Sequence, residues 1–90
     1  MKQKEGFVLR TVCGENVIVG EGLNAINFGK LLALNETAAW LWRKGLELGE
    51  FTLEELADAL CKEYNVLADE ARQDVAETLA NWQKAGVIED

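Results

Sequence analysis

The apolar pattern of this chain changes character at a single place, between Leu34 and Glu36. Before it, apolar residues come in short runs broken by glycine; after it, they recur every three or four positions. Such a switch demands a small sheet followed by helices. Neither half buries enough apolar surface alone, so the helices must be laid over one face of the sheet. With 90 residues there is room for one such core and no second domain, so 1–90 is read as a single unit. Proline is absent, which leaves glycine as the strong punctuation.

Phe7–Val12 and Asn16–Gly20 read as two strands joined by the glycine-containing loop Cys13-Gly14-Glu15. A looser stretch, Glu21 to Gly29, leads to Lys30-Leu31-Leu32-Ala33-Leu34, too short for an independent helix and read as a third strand. Asn35 is placed to cap a helix over 36–46 that stops near Gly45 or Gly49, with Ala38, Ala39, Leu41, Trp42 and Leu46 on its apolar arc. Thr52-Leu53-Glu54-Glu55 is a capping box opening a helix over 53–64, with Leu53, Leu56, Ala57, Leu60 and Tyr64 at helical spacing. After the turn Asn65-Val66-Leu67-Ala68, a third helix over 69–85 is capped by Asp69 or its neighbour. It carries the stripe Ala71, Val75, Leu79 and Trp82 and ends at Gly86. The expected fold is α+β and winged helix-turn-helix-like: a three-stranded antiparallel sheet followed by a three-helix bundle.

Composition removes whole classes of chemistry. The chain has no His and no Ser, which excludes a Ser–His triad, a histidine base and a histidine metal ligand. Cys13 and Cys61 lie far apart with no C-x-x-C pair, so two reduced thiols are expected and no metal or other cofactor. Glu54, Glu55 and Asp58 read as a solvated helix face rather than an acid–base group. No apolar run approaches a membrane span, and Met1–Gly6 leads into no signal core, so a cytoplasmic protein without membrane contact is expected. Enzymatic activity is not expected.

The net charge of −7 is uneven: about +1 through Leu34 and −8 from Asn35 onward. The helix-turn-helix order suggests DNA recognition through the third helix. Yet between Asp69 and Lys84 that helix sets Arg72 and Lys84 against Asp69, Glu70, Asp74 and Glu77. A net −2 helix repels phosphates, so nucleic acid is not the expected partner. A basic peptide or partner surface is attracted instead.

Leu34-Asn35-Glu36-Thr37-Ala38-Ala39 after the third strand resembles the "LNETA" signature of the PqqD-like proteins. These take their name from the D protein of pyrroloquinoline quinone biosynthesis, the prototype of the RiPP precursor-peptide recognition element. Thr52–Leu56, Tyr64-Asn65-Val66, Asp74-Val75, Leu79 and Gly86-Val87-Ile88 match further family positions, so the resemblance spans about 7–88. It implies a non-enzymatic peptide chaperone in cofactor or natural-product biosynthesis. Such a protein binds the leader of a ribosomally made precursor peptide and presents it to a modifying enzyme, often of the radical SAM type. In the family the leader adds as a β-strand beside the third strand and packs on the third helix. The alternative on the same architecture is a winged-helix protein-interaction or transcription-regulatory module.

The residues support such a site on their own terms. An uncovered edge at Lys30, Leu31, Leu32, Ala33 and Leu34 offers unpaired backbone groups beside apolar side chains, a template for strand addition. Ordering an unstructured guest costs ~2–5 kcal/mol, so micromolar affinity is expected, about −8 kcal/mol net. On the third helix Val75, Leu79 and Trp82 read first as core. Any guest contact then comes from a flank, either Asp74, Thr78 and Asn81 or Arg72, Ala76 and Ala80. The Asp74 flank, with Val75 beside it, is preferred because Asp74 matches the family position. Trp40 falls opposite the apolar arc of its helix, so it is read as exposed and as a candidate partner or homodimer surface.

Overall fold

The computed structural model describes residues 1–20 and 32–90. Its described elements are β1 (Lys2–Gln3), β2 (Phe7–Val12), β3 (Glu15–Gly20), β4 (Leu32–Leu34), α1 (Glu36–Leu48), α2 (Leu53–Tyr64), α3 (Ala68–Ala85) and β5 (Ile88–Glu89). β2, β3 and β4 form an antiparallel sheet in that order, and the three helices follow it in the chain. This is the α+β arrangement expected.

The β2–β3 turn is tighter than the sequence suggested. Val12 pairs directly with Glu15, leaving only Cys13 and Gly14 in the loop. Both have positive φ, 52° and 81°, as a type I′ turn requires, and that turn matches the strand twist. Glu15 therefore belongs to the strand.

The helix starts follow their caps. The Asn35 side chain accepts from the Ala38 N–H at 2.8 Å, and Thr52 and Glu55 satisfy each other's backbone N–H at 3.1 Å each. α1 runs two residues further than expected, past Gly45 to a C-cap at Gly49. Gly45 is buried within the helix, and the position suits glycine because a Cβ there would stand 2.7 Å from Gln3 Nε2 and 3.0 Å from the Phe51 ring. It thus takes the inward place of that turn, and Leu46, expected in the core, is turned outward and exposed. α3 begins at Ala68 rather than Asp69. Its N-cap is Leu67, which forms no side-chain cap.

β1 and β5 were not legible in the sequence. They pair antiparallel, Lys2 with Glu89 and Gln3 with Ile88, and the Lys2 ammonium lies 3.7 Å from the Glu89 carboxylate. The N-terminal segment is tied down further. The Phe51 N–H donates to the Met1 carbonyl at 2.7 Å, Gln3 Nε2 donates to the Trp42 carbonyl at 3.1 Å, and the Lys4 N–H donates to the Val87 carbonyl at 2.9 Å.

One core lies between the sheet and the helices. Ile18 and Leu34 from the sheet meet Ala39, Leu41 and Trp42 of α1, Leu56 and Leu60 of α2, and Ala71, Val75, Leu79 and Trp82 of α3. Trp42 and Trp82 pack edge to face, ring centroids 5.1 Å apart at 85°.

Candidate functional site: the open edge of the sheet

The direction in which β4 points its backbone groups follows from the hairpin. A two-residue turn makes the residues flanking it, Val12 and Glu15, a hydrogen-bonded pair, and antiparallel pairing alternates from there. Glu15 and Val17 therefore bond toward β2, while Asn16 and Ile18 bond toward β4. Their partners are Leu34 and Leu32. The N–H and C=O of Ala33 consequently face away from β3, and among the described residues no strand pairs with that side of β4. The side chains alternate as well: Leu34 is buried, Leu32 is half-buried against the core, and Ala33 is exposed.

Beside this edge lies a groove of about 450 Å³, lined by Leu32–Asn35 of the sheet edge, Ala38 of α1, and Thr78, Asn81, Trp82, Lys84 and Ala85 of α3. A second recess of about 420 Å³ shares Ala33, Leu34 and Asn35 with it and is closed by Gly14–Asn16 and Glu36. Both depressions open on β4.

Of the residues singled out in the sequence, the structure brings Leu32, Ala33, Leu34, Thr78 and Asn81 together along this groove. Lys30 and Leu31 lie outside the described residues. Val75 has no exposed surface and sits in the core, so it has no face to offer a guest. Asp74 is exposed but does not line the groove, and its backbone carbonyl accepts the Thr78 hydroxyl at 2.8 Å. On the opposite flank of α3, Arg72 is paired with Glu54 of α2 across the helix surface, and Ala76 and Ala80 are exposed.

Lys84, Ala85, Ala38 and Asn35 were missed. Extending the Thr78–Asn81 flank by three or four residues reaches Lys84 and Ala85, so helical spacing carried that signal. The sequence reads Ala38 and Asn35 only as packing and capping residues.

Trp40 is not a lone exposed aromatic. It is half-buried against the core and packs edge to face on Tyr64, ring centroids 5.6 Å apart at 79°. Tyr64, expected in the apolar stripe of its helix, is 46% exposed. The two rings form a partly exposed pair between α1 and the end of α2. Cys13 is exposed and Cys61 half-buried, and both are free. No helix among the described residues is long and apolar enough to cross a membrane.

This sheet edge flanked by a helix is set within a known class of chain. The family model for coenzyme PQQ synthesis protein D (PqqD) matches residues 15–88, so the chain belongs to the PqqD family. No curated protein matches the sequence. Two solved structures share the fold. One is TbiB1 in complex with the TbiA(beta) leader peptide, with TM-score 0.75 and 21% identity over 99% of this chain and 95% of that one. The other is a lasso peptide synthetase B1 complexed with the leader peptide, with TM-score 0.72 and 19% identity over 99% and 96%.

Proposed function

We propose that this protein binds the leader segment of a ribosomally synthesised precursor peptide by β-strand addition at β4 and presents it to a modifying enzyme. The observation that carries this reading is the outward amide and carbonyl of Ala33, standing beside a groove of mixed polarity lined by Trp82 and Ala38 together with Thr78 and Asn81. Backbone pairing at such an edge supplies affinity, and the groove supplies selection among side chains. Membership of the PqqD family and the two leader-bound relatives of like fold support it. The protein acts without catalysing a reaction, in the cytoplasm, where precursor and modifying enzyme meet. Trp40, with Tyr64, belongs to the surface offered to that enzyme or to a second copy. Lys30 and Leu31, which precede β4 in the sequence, are proposed as further peptide-binding residues, whereas Asp74 stands off the groove and Val75 packs in the core, so neither is proposed to touch the guest.

The test is an isotope-labelled titration with the leader of the precursor peptide encoded beside this gene. Amide resonances of Leu32–Leu34, Thr78 and Asn81 shift, with micromolar affinity. Resonances that stay still at these positions, together with tight binding to duplex DNA at moderate salt, would replace this reading with a winged-helix regulator.

A further inference from the structure

The groove and its neighbouring recess carry opposite charges. Among the described residues lining the groove, Lys84 is the one charged group. In the recess that shares Ala33, Leu34 and Asn35 with it, the charged groups are Glu15 and Glu36. None of the three is engaged in an ion pair among the described residues, although Lys44–Glu47 and Arg72–Glu54 pairs form on the helices nearby. A cation in the last turn of α3 also suits the helix dipole, but that alone does not require it to line a groove.

Resting on the reading above, we infer that the guest of this edge is a dipolar segment: an extended peptide with a carboxylate side chain for Lys84 and a basic side chain for Glu15 and Glu36. An extended guest opposite Ala33 reaches both depressions, because both open on the same three residues. The chain's net charge of −7 attracts a basic peptide at long range. Lys84 then relieves the repulsion of one acidic residue at one location, so the two charges set the register and direction of the guest strand. Backbone pairing is blind to both. Each exposed pair changes affinity by about two- to fivefold.

The experiment selects a displayed library of random dodecapeptides on the full chain and counts only peptides that lose binding to the Ala33→Pro variant. Affinities of the synthesised winners are then read by fluorescence anisotropy. The expected pool carries Asp or Glu at one position and Lys or Arg at another. Replacing that acid by Lys weakens binding to the native chain about fivefold, and Lys84→Glu restores it. Lys84→Gln, which removes the charge without adding repulsion, abolishes the acid preference while circular dichroism shows an unchanged fold. Glu15→Gln combined with Glu36→Gln abolishes the preference for the base. Edge-dependent peptides indifferent to these changes would overturn the charge assignment and leave strand addition standing. A pool with no edge-dependent peptides would overturn strand addition itself, and the charge assignment with it.

Discussion

The alternation of hydrogen bonds along β4 makes a sharp prediction for proline. At position 33 the lost N–H is one that faces away from β3, the setting in which an edge strand tolerates proline. Ala33 is exposed, so no packing is lost, and the fold should lose less than about 1 kcal/mol. For a guest strand the same change removes one backbone hydrogen bond, about 0.5–1.5 kcal/mol, and leaves the guest carbonyl buried without a donor, about 1–3 kcal/mol more. Together these weaken leader binding by about tenfold to a thousandfold. Leu32→Pro should do the reverse. Its N–H bonds toward Ile18 and its side chain is half-buried, so this proline breaks a three-residue strand from the sheet and destabilises the domain by about 2–3 kcal/mol. Titration calorimetry with the leader reads the first effect, and thermal melting followed by circular dichroism reads the second. An Ala33→Pro variant that binds within twofold of the native chain would refute strand addition at this edge. Melting lost at 33 but kept at 32 would refute the assigned bonding pattern.

Three further outcomes follow from local structure. Leu67 caps α3 without a side-chain acceptor and is 71% exposed, so Leu67→Ser should stabilise by about 1 kcal/mol, raising Tm by roughly 4–8 °C in a melting experiment. Cys13 occupies the first central position of a type I′ turn with φ 52°, a place that favours asparagine; Cys13→Asn should raise the denaturant midpoint, by about 0.5–1 kcal/mol of stability, with an unchanged m-value. Trp40→Ala removes the Tyr64 contact and should cost about 1–3 kcal/mol on denaturant unfolding. Sedimentation of the same variant reports on self-association: a fall in mass relative to the native chain places a second copy on the Trp40–Tyr64 face, and an unchanged mass leaves that face to the enzyme.

The parts of the fold readable from the sequence were those with a period or a cap. Phe7–Val12 was located as observed, and Asn35 and Thr52 start their helices because their side chains have a local acceptor role that composition makes visible. β1 and β5 escaped because a two-residue strand has no period, and Lys2 and Gln3 are polar. Their pairing depends on contacts nearly the whole chain apart. Leu46 and Trp40 were misplaced for a related reason. An ideal helical wheel knows nothing of Gly45, whose missing side chain admits Gln3 and Phe51, or of Tyr64 arriving from α2 to cover Trp40. At the groove, the apolar edge was visible as a short run of leucines. The outward direction of Ala33 needed the exact loop length, which only the Val12–Glu15 pairing supplies. The choice of α3 flank needed the third dimension, which shows Thr78 and Asn81 beside β4 and turns Arg72 toward Glu54.

The pairing of β1 with β5 has an architectural consequence. Because Lys2 stands opposite Glu89, a polypeptide entering at one would leave beside the other, as at the neck of a loop. Domains whose ends meet in this way can be spliced into a surface turn of a larger host with little disturbance to either fold. Grafted so, the unit would carry the β4 edge as a tethered cassette, and any guest held there would stand at a raised local concentration beside the host.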